Sequence, residues 1–205
     1  TRVYDAIRES GLPAIVIPGL HRGSPTDPRF KAYSHQASPE KIGIAYQVVH
    51  DLGDDVVACD ASSNTVSLLV TGGRITGAFD ACIFAPGTEH GALDVNAIRR
   101  IDRGEITAND AFLHAGVDYT MDADLRLETM AMFAAMECAA MLLLNPDAKV
   151  ALAGGMAPAI AAEVEALLSR KVAVYDEWCA ARGLVRVARD VFSGATGILG
   201  LAVER

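Results

Sequence analysis

Three apolar, β-rich runs follow one another in close succession, at 56–59, 66–70 and 78–85, separated only by the turn-rich stretches D-A-S-S-N-T and T-G-G-R. A parallel crossover needs a dozen or more residues, so connections this short force antiparallel neighbours. Residues 56–85 are therefore predicted to form a three-stranded meander, and the rest of the chain has to pack on that sheet.

After Pro86 the pattern changes to helices, predicted over 94–102, 107–115 and 125–144, with Asn145, Pro146 and Asp147 stopping the last. V-A-L-A at 150–153 reads as a strand running into Gly154 and Gly155, 158–170 as an amphipathic helix, V-A-V-Y at 172–175 as a strand and 180–203 as helical. Gly194, Gly197 and Gly200 fall three apart in that last segment, which would let a helix lie close to the sheet. The order β-β-β, then helices, β, α, β, α describes an α/β mixed sheet whose later strands are parallel and covered by helices. Upstream, A-I-V-I at 14–17 reads as a buried strand ending at Pro18 and Gly19, and 21–33 as a polar loop. Ser38, Pro39 and Glu40 read as a helix start, followed by apolar positions at Ile42, Ile44, Ala45, Val48 and Val49. The expected division is an αβ segment with its loop over 1–53 and a lobe over 54–205.

A chain of 205 residues, 51% hydrophobic and 21% charged, is long enough for one sizeable core. Its formal net charge of −8 argues against nucleic acid or an anionic membrane as partner. The basic cluster Arg99, Arg100 and Arg103 is diluted by Asp94, Asp102 and Glu105 and reads as a solvated helix end. The longest apolar segment, 125–144, carries Arg126, Glu128 and Glu137, charges that lipid would penalise, so it reads as a core helix with its four methionines as packing. Cys59, Cys82, Cys138 and Cys179 form no C-x-x-C pair and read as reduced, buried residues of a cytoplasmic protein. The chain opens on T-R-V-Y-D-A-I-R-E-S, without an initiator Met or a signal-like apolar core.

The phosphate loop G-x-x-x-x-G-K-[ST], the G-x-G-x-x-G spacing, H-E-x-x-H and G-x-S-x-G are all missing. Instead, the turn between the first two meander strands gathers Asp60, Ser62, Ser63, Asn64 and Thr65. Such a tip can offer N–H groups and hydroxyls to phosphate oxygens while Asp60 reaches a magnesium ion through water, and S-S-N-T is equally ordinary hairpin chemistry. Ala153, Gly154, Gly155 and Met156 end a buried strand where ligands of open α/β sheets gather, or simply turn the chain into a helix. His21, Arg22, Arg29, Lys31, Ser34, His35 and Lys41 form a basic island suited to an anionic acceptor. His50 and His114 lack such company and read as structural.

Together, the meander turn and the later Gly-Gly resemble the nucleotide-binding lobe shared by sugar kinases, acetate and butyrate kinases, heat-shock ATPases and actin. The resemblance implies a ribonuclease-H-like, actin-like ATPase lobe. Asp60 would be its phosphate-side and metal-side carboxylate, Gly154 and Gly155 the nucleoside contact, and A-A-R-G ending at Gly183 the helix contact near the ligand. Ser62 stands where a glycine is common in that superfamily. G-T-E-H-G-A-L-D at 87–94 resembles the G-T-x-x-G-x-[IL]-D stretch of acetate kinases, with Glu89 where those enzymes carry a catalytic arginine. Glu89 and His90 are then an acid–base or metal-binding pair, or only structure their loop. His35 lies in Y-S-H, similar to the F-H-G-T-S-H region of acetate kinases.

A longer resemblance runs through H-R-G-S-P-T-D-P-R-F-K-A-Y-S-H-Q-A-S-P-E-K at 21–41, A-P-G-T-E-H-G-A-L-D, and I-D-R-G-E-I-T-A-N-D-A-F at 101–112. These segments look like the methanogenesis marker protein 12 family, acetate-kinase-like proteins of methanogenic archaea. That resemblance implies the carboxyl-terminal part of a two-lobed protein whose amino-terminal lobe lies outside this sequence. It implies ATP and Mg2+ as cofactors and an ATP-dependent phosphotransferase. A small anionic acceptor would be bound near His21, Arg22 and Arg29, with catalytic roles at His35, Glu89 and His90. The alternative it leaves is a non-catalytic ATP-dependent switch or scaffold with a methanogenesis protein partner, and a homodimer is compatible with either.

Overall fold

A computed structural model describes residues 2–204. Its centre is a five-stranded sheet in the order β5-β4-β3-β6-β7, built from β3 (Val56–Ala61), β4 (Thr65–Thr71), β5 (Arg74–Phe79), β6 (Lys149–Ala153) and β7 (Val172–Val174). The β3–β4 and β4–β5 pairs are antiparallel, as the short connections require, and β6 joins β3 in parallel with β7 parallel beyond it.

Every residue of β3 is buried, and its side chains alternate between two cores. Val56 and Ala58 face α2 (Pro39–Leu52) and α8 (Cys179–Phe192), packing with Ile42, Ala45, Val48 and Val187. Val57, Cys59 and Ala61 face α6 (Arg126–Leu142) and α7 (Ala157–Leu168), packing with Met130, Ala134, Cys138 and Ile160. Burying a Val, Leu or Ile side chain contributes roughly 1.5–3 kcal/mol, so the filling of both faces carries the stability of the sheet. The expected boundary falls at Gly53, between α2 and β3, while the buried face of α2 shares its core with β3 and β4.

The third meander strand lies earlier than the 78–85 expected from hydrophobicity. Gly72 and Gly73 both have positive φ, 55° and 70°, and close a two-residue hairpin turn that pairs Thr71 with Arg74, so the strand begins at Arg74 and ends at Phe79. The helix expected over 180–203 stops at Phe192. Gly194 (φ 109°) and Gly200 (φ 85°) turn the chain into a hairpin of β8 (Gly197–Ile198) and β9 (Leu201–Ala202), so the three glycines lie outside the helix rather than easing it onto the sheet. The hairpin is tied to the main sheet by Ile75 N–H donating to Leu199 O at 3.0 Å.

Residues 14–17 form no strand; Pro13 and Pro18, which lack N–H groups, bracket an extended stretch with Ile15 and Ile17 half-buried and Val16 exposed. The polar loop after it contains short structure: β1 (Leu20–His21) pairs with β2 (His35–Ala37), and a 3-10 turn spans Pro28–Ala32. The remaining helices of the described residues are α1 (Arg2–Glu9), α3 (Val95–Asp102), α4 (Ala108–Leu113) and α5 (Val117–Thr120), of which α5 adds Val117 to the core under α6 and α7, and α1 and α5 have no counterpart among the expected elements. Arg100 and Arg103 pair with Glu105 at the exposed end of α3. The four cysteines are free, with Cys59, Cys138 and Cys179 buried and Cys82, against expectation, exposed beside Asp80 in the connector after β5. Met130 and Met141 pack in the core, whereas Met132 and Met136 lie on the outer face of α6. Among the described residues no helix is long and apolar enough to cross a membrane.

Candidate functional site

The carboxyl ends of β3, β6 and β7 lie at one edge of the sheet, and the end of β5 joins them because two successive hairpins bring it back parallel to β3. Asp60 pairs with Val66, and Phe79 pairs with Ser67, so Asp80 follows in line with Asp60 two strands away, about 10 Å by strand spacing.

Asp60 is the one charged residue of β3, and its parity points it toward α2. Its Oδ2 accepts from Lys41 Nζ at 2.5 Å and from Ser62 Oγ at 3.1 Å. Lys41 also donates to Asn64 Oδ1 at 3.1 Å, and its Nζ lies 3.2 Å from Glu40 Oε1. Burial works against the Lys41 ammonium, but the carboxylates of Asp60 and Glu40 outweigh it and hold the lysine above its ordinary value. Burial pushes the Asp60 carboxyl up, and Lys41 and Ser62 offset part of that shift. For Glu40, burial is outweighed by its own backbone N–H, by Lys41 and by Ser38, so its carboxyl sits below the usual value.

Gly154 backs this cluster. Its φ of 101° is one that L side chains rarely adopt, and a Cβ there would stand 2.5 Å from Asp60 Oδ1. A cavity of about 220 Å3 opens between the strand ends and the two helices, with Lys41, Asp60, Ser62, Gly154, Gly155 and Ala180 in its wall. Gly183 lies three residues along α8 from Ala180, where it meets the backbone of Gly43; it serves the α2–α8 crossing, since a Cβ there would collide with Gly43 O.

The loop carrying Glu89 and His90 is laid directly on the meander turn. Thr88 N–H donates to Ser62 O, and Glu89 and His90 N–H both donate to Ser63 O, at 3.0, 3.1 and 2.9 Å. On its other side Gly116, Val117 and Asp118 donate N–H groups to Glu89, Gly87 and Thr88 carbonyls. Gly87 permits the approach, because a Cβ there would strike the backbone of Asn64. His90 Nε2 lies 3.8 Å from Glu89 Oε2, its ring stacks on Phe112 with centroids 4.9 Å apart, and its buried Nδ1 has no hydrogen-bond partner among the described residues. Thr65, buried, donates its hydroxyl to Pro86 O at 2.8 Å and so anchors this connector rather than facing the cavity.

His35 sits over the end of β5, its Nδ1 2.8 Å from Asp80 Oδ2. Phe30 seats that segment by covering Gly77, whose Cβ would occupy the ring, and by packing on Phe79. Three other members of the basic island, Arg22, Arg29 and His21, serve the loop itself. Arg22 donates to the carbonyls of Lys31 and Ala32, Arg29 is paired with Asp27 at 2.8 Å, and His21 Nδ1 accepts from Gly23 N–H. The structure thus brings Asp60, Ser62, Ser63, Asn64, Glu89, His90, Gly154 and Gly155 to one sheet edge with His35 beside them, and leaves His21, Arg22 and Arg29 in the loop's own framework.

Lys41 stands in the sequence with the basic-island cations suited to an anionic acceptor, while 41, 44, 45 and 48 mark one helical stripe that places it on the buried face of α2. Asp80 is the candidate the sequence does not mark; it falls within the misplaced third strand, and no local pattern points to it.

Phosphate oxygens suit this edge, with the Lys41 ammonium, the Ser62 hydroxyl and the turn's backbone close together. Direct coordination of magnesium through Asp60 Oδ2 does not suit it. Oδ2 already accepts from an ammonium, and Oδ1 faces Gly154. Among the described residues no group of three or more His, Cys, Asp or Glu could hold a metal ion.

No protein-family model matches the chain. It is 45% identical over 227 residues to a UPF0285 protein of Methanosarcina barkeri, covering 100% of this chain and 70% of that protein. It is 38% identical over 232 residues to a UPF0285 protein of Methanococcus maripaludis, covering 100% and 71%. Among solved structures, acetate kinase from Entamoeba histolytica is similar with a TM-score of 0.53 at 10% identity, over 87% of this chain and 62% of that one. Porphyromonas gingivalis acetate kinase is similar with a TM-score of 0.51 at 7% identity, over 77% and 56%. The chain therefore spans less than two thirds of these acetate kinases, and at such identities the likeness is one of fold. The fold is the expected α/β one, a mixed five-stranded sheet similar in fold to the acetate kinases.

Proposed function

The chain belongs to the UPF0285 family of methanogen proteins, and on that premise we propose that its sheet edge binds ATP as part of an ATP-dependent phosphotransferase for a small anionic acceptor. The phosphates would lie over the turn at Asp60, Ser62, Ser63 and Asn64, and the nucleoside against Gly154 and Gly155. The observation that carries this reading is the cluster of buried Lys41 and Asp60 with half-buried Ser62 and Asn64, opening into a cavity backed by Gly154. The fold similarity to acetate kinases supports it as fold, and the resemblance to methanogenesis marker protein 12 belongs to the same proposal. In this reading His35, paired with Asp80, and the Glu89–His90 pair would meet an acceptor or the transferring phosphoryl group.

A second reading, ATP binding without turnover, is favoured by the arginines of the first loop. Arg22 and Arg29 are both committed to structural contacts, which leaves the acceptor side short of free cations. Calorimetric titration of ATP into the chain, followed by an ADP-release assay with small carboxylates, separates the two. Saturable binding with acceptor-dependent ADP release supports the transferase, binding without release supports the switch, and no binding overturns both.

A further inference from the structure

Two features of Lys41 bear on what Asp60 can hold. The lysine side chain is 5% exposed, yet it comes from the first turn of α2 and ends in the wall of the cavity rather than in the core. Its partners are of two kinds. Asp60, 6% exposed, and Asn64 belong to the phosphate-side turn and hold the ammonium in place. Glu40, the remaining partner, has a side chain 43% exposed.

An ammonium has three N–H donors, and here Asp60 and Asn64 accept hydrogen bonds from it while the Glu40 carboxylate lies 3.2 Å away as an ion pair. Asp60 is buried and Asn64 half-buried, whereas Glu40 reaches back from solvent. A divalent cation on Asp60 Oδ2 would share that oxygen with the ammonium, placing like charges side by side between largely buried groups. Asp176, also at this edge, is paired with Arg182 at 2.6 Å, so among the described residues Glu177 is the acidic group of the wall without an ion pair, and Glu40 is the exposed one paired with Lys41. Exchanging the Glu40 carboxylate for a phosphate oxygen replaces one anion by another on Lys41, so the local charge balance survives the exchange.

We infer that Lys41 is the phosphate-contacting cation of this site, that Asp60 is its counter-ion rather than a magnesium ligand, and that the ligand's phosphate displaces the Glu40 carboxylate from beside Lys41. The inference rests on the proposed nucleotide site and adds to it a positioning pair and a phosphate specificity independent of metal.

The test is a calorimetric titration of ATP and of inorganic tripolyphosphate into the 205-residue chain, once with magnesium and once with EDTA. Wild type, Glu40→Ala and Lys41→Met are compared, with circular dichroism to check folding. ATP is expected to bind in EDTA within about threefold of its affinity in magnesium. Glu40→Ala is expected to tighten binding about 3- to 10-fold, and Lys41→Met to weaken it about 10- to 100-fold, the range of a charge-assisted hydrogen bond. Binding that vanishes in EDTA, or Glu40→Ala no tighter than wild type, overturns the inference; the glutamate is half exposed, so that variant does not depend on rescuing a buried charge. Tripolyphosphate binding that needs Lys41, without any ATP binding, supports the inference and rejects the nucleotide reading. Failure of both ligands in both buffers rejects the two together.

Discussion

Lys41 Nζ and Asp60 Oδ2 lie 2.5 Å apart, with 5% and 6% of their side chains exposed, and they join the first turn of α2 to the end of β3. The pair couples the binding edge to the stability of the fold, because neither charge can lose its partner and remain comfortably buried.

Asp60→Ala is therefore expected to destabilise the chain as well as remove a site residue. Breaking a buried ion pair from one side costs about 3–5 kcal/mol, whereas replacing both members by apolar residues of similar volume is often close to neutral. Urea unfolding of Asp60→Ala, Lys41→Met and Lys41→Met with Asp60→Val should show the double variant more stable than either single one. Single variants within about 1 kcal/mol of wild type would contradict the buried pair.

Glu137 supplies a pH dependence. It is fully buried on α6, accepts from Ser67 Oγ at 2.7 Å and from Ala85 N–H at 3.3 Å, and burial pushes its carboxyl up to about 8 against those two hydrogen bonds. A raised value means that the folded state binds the proton more tightly than the unfolded chain. The resulting stabilisation is complete below the ordinary carboxyl value of 4.5 and is lost as pH rises through about 8. Thermal melts between pH 5 and 9 should show a decline of a few kcal/mol, on the order set by a shift of this size, and Glu137→Gln should flatten it. A wild-type profile that the glutamine variant reproduces would place the titration elsewhere.

Gly154 is expected to tolerate no side chain. Alanine there would combine a positive φ with contacts at 2.5 Å to Asp60 Oδ1 and 2.6 Å to Ala61 O. Backbone strain of about 1–3 kcal/mol and displacement of Asp60 follow together. Gly155, with nothing within 4 Å of its added Cβ, is the control. Gly154→Ala should lower the melting temperature and weaken ATP binding, while Gly155→Ala leaves the melting temperature near wild type; equal melting temperatures for the two would contradict the close packing at Gly154.

Much of this organisation was legible from spacing. The short connections at 60–65 and 71–74 forced the meander, and the buried run ending in Gly154 and Gly155 marked the sheet edge. Hydrophobicity misplaced β5 because residues 80–85 are as apolar as a strand, whereas the Gly72–Gly73 turn sets the register. The last segment misled in the same way, its apolar composition concealing two positive-φ glycines that end any helix. Lys41 and Glu137 carried a signal that charge alone obscured. Each falls at a core position of its helix, 41 with 44, 45 and 48, and 137 with 134, 138 and 141, so a charged residue on an apolar stripe was the mark to follow. Asp80 and the draping of 87–90 over Ser62 and Ser63 arise from contacts between distant segments, and no local pattern encodes them.

The most direct test of the binding edge is amide chemical-shift mapping of the labelled chain during titration with ATP. The expected result is saturable shifts concentrated at Ser62, Ser63, Asn64, Gly154 and Gly155, with smaller ones at Thr88, Glu89 and His90, whose N–H groups rest on the turn. Shifts confined to another surface, such as the apolar groove formed by Ile15, Val191 and Phe192, or no shifts in a well-folded chain, would contradict it.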